Sequence, residues 1–231
     1  MENMETILDI IGVIAFAISG VTKGARHRLD LLGVIVLGVI TALGGGVIRD
    51  VLLNQIPFAL ENPRDAYIAI ITSVITFFIV REDGPFFIVQ TGIDKGLRKI
   101  SGKISLNYII QVFDALGLAV FTIIGASKAY GLGMGPLPVV LMATLTGVGG
   151  GIVRDLLVRE IPFVLKDEIY ASLCIVGAFF YYVSLHFSLL ADNLVDYIVV
   201  IGIFIARLLA IKYQFSLPAA KVKTADSNSD S

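Results

Sequence analysis

Cysteine is almost missing from this chain and tryptophan wholly so. The one cysteine, Cys174, lies in an apolar run, which excludes an intrachain disulfide. Histidine occurs twice, at His27 and His186, both in segments read as loops, and no HExxH, GxSxG or CxxC pattern is present. The run from Gly96 to Lys103 has the flavour of a phosphate loop, but five residues separate its glycines and Ile104 follows Lys103, so both the spacing and the hydroxyl ligand are wrong. The sequence therefore carries no equipment for catalysis; neither an enzyme nor a resident cofactor is expected. Charge is scarce as well: 16% of residues, against about 25% in soluble domains, with a net charge of −1. The Lys and Arg residues are scattered between apolar runs and form no basic face, which rules out nucleic acid as a partner.

What fills the chain is apolar. Of 231 residues 56% are hydrophobic, and the mean hydropathy is +0.87. A bilayer core of roughly 30 Å needs about 20 apolar residues per helix. Apolar runs centre on 6–22, 31–53, 66–80, 107–127, 136–158, 168–187 and 194–214, which predicts an all-α integral membrane fold of seven transmembrane helices. The N-terminal MENMETILDII has no basic residues ahead of its apolar stretch, so the first helix is expected to be retained and not cleaved as a signal peptide. Alternate loops differ in charge. One set holds Lys23, Arg26, Arg28, Arg81, Lys95, Arg98, Lys99, Lys103, Arg159, Lys166, Lys212, Lys221 and Lys223; the other holds only Arg64 and Lys128. That asymmetry predicts an outside N-terminus and a cytoplasmic C-terminus.

Sliding the chain by 105 residues aligns Asp9–Leu60 with Asp114–Leu165 without a gap. Asp9/Asp114, Gly12/Gly117, Phe16/Phe121, Gly20/Gly125, Lys23/Lys128 and Thr41/Thr146 coincide, GGGVIRD (44–50) matches GGGIVRD (149–155), and Ile-Pro-Phe recurs at 56–58 and 161–163. With three spans per copy, the second copy enters the membrane upside down, as in folds that carry solutes across a bilayer. The expected organisation is a first three-helix repeat over 1–80, a cytoplasmic connection over 81–106, a second, inverted repeat over 107–187, a seventh helix over 188–215 and a disordered tail over 216–231.

Three consecutive glycines in mid-span cost about 1 kcal/mol each relative to alanine. Gly44, Gly45, Gly46 and Gly149, Gly150, Gly151 are accordingly expected to break their helices near the bilayer centre and turn carbonyls, those of Gly44, Gly45, Gly149 and Gly150, toward a cation. Thr41 and Thr146 stand one turn before the breaks. The plainer reading is that the glycines let two helices pack closely, and Gly147-x-x-x-Gly151 fits it. Arg49, Asp50, Arg154 and Asp155 follow each triplet at a depth where ionisable side chains need partners. An ion pair within each repeat is expected, Asp9 with Arg49 and Asp114 with Arg154. Lys23 and Lys128 end their spans; they either snorkel to the interface or take part in gating. Arg207 is expected to pair with a carboxylate or a neighbouring chain, and Asp192 and Asp196 to lie in a solvated loop.

With the two GGG-[VI]-[IV]-R-D motifs and the duplicated three-span pattern assembled, the sequence resembles the trimeric intracellular cation (TRIC) channels over about residues 6–215, and most of all their bacterial homologues, whose repeat is also labelled a glycine-transporter domain. The resemblance implies a homotrimer in a prokaryotic inner membrane, with one potassium-permeable pore per subunit around kinked spans 2 and 5, permeant K⁺ with Na⁺ open, and membrane lipids as further partners. The basic lipid-binding motif of animal members is not visible, although Lys95, Arg98 and Lys99 form a basic stretch suited to anionic lipid. A secondary transporter of a small solute such as glycine is the alternative, since inverted repeats serve both.

Overall fold

The computed structural model describes residues 2–81, Gly84, 105–166 and 169–214. Among these, nine helices follow one another: α1 (Glu2–Arg26), α2 (Leu31–Leu52), α3 (Phe58–Glu61), α4 (Arg64–Val80), α5 (Leu106–Gly131), α6 (Pro136–Leu157), α7 (Phe163–Lys166), α8 (Ala171–His186) and α9 (Asp192–Tyr213). The basic stretch at Lys95, Arg98 and Lys99, most of the 81–106 connection, the 216–231 tail and the Asp192 side chain lie outside the described residues.

Local chemistry explains the boundaries. Asp30 caps α2 by accepting from the Gly33 N–H at 2.7 Å. Ser105 caps α5, and Pro136 sits at the first position of α6, where a missing N–H costs nothing. Ile-Pro-Phe marks the start of the one-turn helices α3 and α7, which the hydropathy pattern does not reveal.

The expectation of seven spanning helices is corrected. Among the described residues, five helical stretches are long and apolar enough to cross a membrane: Met4–Arg26, Leu31–Leu52, Leu106–Gly131, Pro136–Leu157 and Leu194–Tyr213. In place of the third and sixth spans stand α4, with 17 residues, and α8, with 16. At 1.5 Å per residue these reach only about 24–26 Å. The apolar run of 66–80 is itself short and α4 extends it only back to Arg64, whereas the first residues of the 168–187 run precede α8, so there run length overstated helix length.

α1 and α5 pack against each other in opposite directions, with Ser127 donating to Glu5 at one end and Ser19 donating to the Ile110 carbonyl toward the other. α2 packs on α1 and α4, α6 on α5 and α8, and α9 lies against α5 and α8. At the centre α2 crosses α6. The largest apolar core joins α5, α6, α8 and α9 around Leu118, Val139, Tyr170, Val195 and Ile203, and a smaller one holds Phe16 against Phe121 at 5.2 Å between ring centres.

Candidate functional site: two charged clusters flanking a glycine crossing

Both α2 and α6 run through their glycine triplets without a break, which corrects the expected helix breaks. A continuous helix spends its carbonyls on its own i to i+4 bonds, so those of Gly44, Gly45, Gly149 and Gly150 are not presented as potassium ligands. The glycines are instead where the two helices touch. A Cβ on Gly45 would fall on the Thr146 carbonyl oxygen, and one on Gly150 on the Thr41 carbonyl oxygen. These two contacts exchange under the 105-residue shift of the sequence repeat. One on Gly149 would stand 3.1 Å from the Gly45 Cα, whereas Gly44 has ordinary room beside Gly150 at 3.7 Å. Backbones at such approach gain dispersion and Cα–H···O contacts that offset the poor helix propensity. The threonine hydroxyls bond backward, Thr41 to the Leu37 carbonyl and Thr146 to the Met142 carbonyl, each at 2.6 Å.

A cluster of charges lies on either side of this crossing. In each, the arginine after the triplet turns onto the neighbouring aspartate: Arg49 Nε donates to Asp50 Oδ1 at 2.8 Å and Arg154 Nε to Asp155 Oδ1 at 2.9 Å. The second oxygen of each aspartate accepts a backbone N–H eight residues on, Phe58 at 2.9 Å and Phe163 at 3.1 Å, which gives the recurrent Ile-Pro-Phe its physical role. The lysines then cross between the repeats. Lys128 Nζ reaches Asp50 at 2.8 Å, and Lys23 Nζ lies 3.2 Å from Asp155 and 2.8 Å from Glu160. Lys23 is fully buried, so the snorkelling reading is corrected for it: carboxylates of the second repeat hold its charge inside the protein.

The clusters then diverge. Arg154 Nη1 meets Asp114 at 2.6 Å, as expected, and also donates to Ser19 at 2.7 Å. Its counterpart pair does not form, because Arg64 takes Asp9 at 2.7 Å and Asp65 at 2.8 Å, leaving Arg49 to Asp50. Position 65 corresponds to 170 in the second repeat, where Tyr170 donates its hydroxyl to Asp114 at 2.6 Å. The first cluster opens onto a cavity of about 40 Å³ bordered by Asp9, Gly46, Arg49, Asp50, Phe58 and Asp65. In the second, Arg154 and Asp155 are fully buried, and the space beside Gly151 is bounded by Tyr170 Oη and Asp114.

The Arg207 guanidinium lies over the Tyr170 ring at 4.8 Å and donates to the Ile169 carbonyl at 3.0 Å. One further expectation is corrected. Asp196 is buried within α9 and is no loop residue. Glu160, Asp65, Arg64 and Tyr170 were missed by the sequence reading. The first and last replace Gln55 and Asp65 under the repeat, and a search for identities passes over such positions.

Glu160 lies beyond α6. Burial alone would raise its carboxyl, but the bonds from Lys23 and His27 hold it at about 2 from an ordinary 4.5. A carboxylate with a depressed folded value stabilises fully above its unfolded value and loses that contribution as pH falls through the folded one. Glu160→Gln is therefore expected to lower the melting temperature at pH 6, with the deficit closing as pH falls from about 4.5 to about 2. Melting curves of both proteins across that range are the check; a deficit that persists at the acid end refutes the assignment.

A duplicated all-helical membrane protein, with a close glycine crossing between two buried charge clusters, is the class these features define. A family model described as "Glycine transporter" matches residues 6–81 and again 111–186. The chain is 40% identical to the Escherichia coli "UPF0126 inner membrane protein YadS" over 91% of its length and 93% of that protein. Among solved structures, it aligns with a prokaryotic TRIC channel at 37% identity and TM-score 0.79, covering 94% of this chain and all (100%) of the other. It aligns with the TRIC trimeric intracellular cation channel orthologue of Rhodobacter sphaeroides at 28% identity and TM-score 0.79, covering 92% and 99%. The chain belongs to the UPF0126/TRIC channel family.

Proposed function

We propose that this protein is a monovalent-cation channel, permeable to potassium, that assembles as a homotrimer with one pathway per subunit. Its place is a prokaryotic inner membrane, N-terminus outside and C-terminus cytoplasmic, among lipids. The observation that carries the reading is the pair of charged clusters standing at opposite ends of the α2–α6 crossing in a fold that aligns almost end to end with structures described as TRIC channels. The two copies are read as inverted repeats, in keeping with the opposed packing of α1 and α5.

The pathway assigned to this chain does not run through helix breaks. Ions pass beside the third glycine of each triplet, Gly46 and Gly151, where a built Cβ meets side chains and not the opposing backbone: Arg49 Nη2 at 3.7 Å for Gly46, and Tyr170 Oη at 3.1 Å, Asp114 Oδ1 at 3.4 Å and Arg154 Nη2 at 3.7 Å for Gly151. Gly44, Gly45, Gly149, Gly150, Thr41 and Thr146 form the wall at which the helices meet. Arg49, Asp50 and Asp9 border one mouth, Arg154, Asp155 and Asp114 the other, and Lys23 and Lys128 tie the mouths across the repeat boundary. Carboxylates at a mouth raise the local cation concentration, and the paired bases keep that field from trapping the ion.

The description "Glycine transporter" on the matching family model favours a second reading, a secondary transporter of a small solute. Recording from the purified protein in a planar bilayer under a potassium gradient separates the two. Discrete steps reversing near the potassium potential are expected; silence, together with saturable uptake of labelled glycine into liposomes, would sink the channel reading.

A further inference from the structure

At the end of the molecule that carries the α1–α2 turn, the second cluster has an appendage with no counterpart in the first. His27 Nε2 lies 2.7 Å from Glu160 Oε1, and both side chains are partly exposed, at 30% and 23%. Under the repeat, His27 corresponds to Leu132 and Glu160 to Gln55, so nothing equivalent ties the other mouth. The same carboxylate takes Lys23 on its other oxygen and has Arg26 at 3.6 Å, while Asp155 of α6 stands behind Lys23. Arg28 follows His27 in the turn and Arg159 precedes Glu160 in the link; both have left-handed backbones, with φ of 57° and 58°. Phe163 of α7 stacks on the Lys23 ammonium at 4.7 Å.

We propose that His27 and Glu160 form a proton-operated clamp on this mouth: protonation of His27 fastens the α1–α2 turn to the link that follows α6 and reduces cation passage. The inference rests on the channel reading above. Histidine is the side chain whose charge changes between about pH 5 and 8. Glu160 stays ionised throughout that interval, so the only proton that comes or goes in this contact is the histidine's. Without it, the contact is a hydrogen bond from a neutral ring to a carboxylate. With it, the bond is a full ion pair, of the stronger charge-assisted kind. Three carboxylates of the cluster, Asp114, Asp155 and Glu160, stand against Arg154, Lys23 and Arg26. A charged His27 adds one further positive charge where cations enter, next to Arg28 in the same turn and Arg159 in the same link. Fastening the turn and repelling the ion act in the same direction. The turn joins α1, which carries Lys23, to α2, while the link continues α6, which carries Arg154 and Asp155, so the clamp bridges the helices that hold both partners of the cross-repeat bond.

The test varies pH on one face of the bilayer at a time during recording from the full-length protein, for the wild type, His27→Gln and Glu160→Gln. Lowering pH from 8 to 5.5 on the face carrying the α1–α2 turn is expected to cut wild-type current about fivefold, the population shift that strengthening one bond from neutral to charge-assisted allows. Acid on the opposite face leaves it unchanged, and both variants lose the response. A distance readout keeps the clamp separate from conduction. Spin labels at Leu29→Cys and Ile161→Cys, both exposed positions, with the native Cys174 buried, are expected to show a distance distribution that narrows at pH 5.5 in the wild-type background and not with His27→Gln. A silent protein with that narrowing sinks the channel reading and keeps the clamp. Unchanged distances, or a current whose acid response survives His27→Gln, overturn it.

Discussion

Gly45→Ala and Gly150→Ala are expected to disrupt the protein, and Gly44→Ala to leave it folded and conducting. The added methyl at 45 or 150 falls on a backbone carbonyl of the opposing helix, at Thr146 or Thr41, and no rotamer change relieves a clash with backbone. The helices must separate, and overpacking of this kind costs about 1–3 kcal/mol where side chains can adjust and more where they cannot. Because α2 and α6 also carry Asp50 and Asp155, separation pulls on both lysine bridges at once. At Gly44 the nearest atom is the Gly150 Cα at 3.7 Å, ordinary contact distance, so alanine there gains about 1 kcal/mol of helix propensity. Folded yield after detergent extraction and bilayer current, measured for each single alanine variant, distinguish packing from carbonyl coordination. If Gly44→Ala silenced a folded protein as completely as Gly45→Ala, the glycines would be acting on the ion and the packing account would fail.

That contrast marks where the sequence was legible. The gapless duplication could be read directly because identity at Asp9/Asp114, Lys23/Lys128 and the two GGG-x-x-RD motifs needs no knowledge of contacts. It also located the glycines and threonines that meet at the crossing. What it could not tell was how the glycines are used, since a triplet lowers helix propensity whether the helix breaks or a second helix lies against it. Only the position of Thr146 opposite Gly45 decides. The ion pairs show the same limit. Symmetry predicted Asp114 with Arg154 correctly and Asp9 with Arg49 wrongly, because Arg64 competes for Asp9 while Ile169 stands at its counterpart. Depth along a helix told which charges need partners; it did not say that the lysines would cross between repeats. Helix length failed for simpler reasons: α4 begins right after Pro63 and adds only Arg64 and Asp65 to a short apolar run, while Ile169 and Tyr170 count toward hydropathy without belonging to α8.

Arg154→Met is expected to give the largest loss of stability among the charged positions, about 3–5 kcal/mol, because removing one partner of a buried pair leaves the other uncompensated. Arg154 is fully buried and serves two carboxylates, Asp114 at 2.6 Å and Asp155 at 2.9 Å, together with the Ser19 hydroxyl. Without it Asp114 retains the Tyr170 hydroxyl, while Asp155 keeps Lys23 and the Phe163 N–H. Arg49→Met removes a single bond, and Asp50 keeps Lys128 and the Phe58 N–H beside a cavity, so its cost is smaller. Lysine at 154 keeps the charge but loses the planar fork that divides between two acceptors, and falls between. The double change Arg154→Met with Asp114→Leu removes both charges of the pair and is expected to recover part of the loss. Cys174, the chain's one cysteine and fully buried, supplies the readout: a thiol-reactive dye reports the temperature at which the second-repeat core opens. Equal labelling temperatures for Arg154→Met and the wild type would mean that this network holds no part of the fold together, and would leave Arg154 a role in the ion pathway alone.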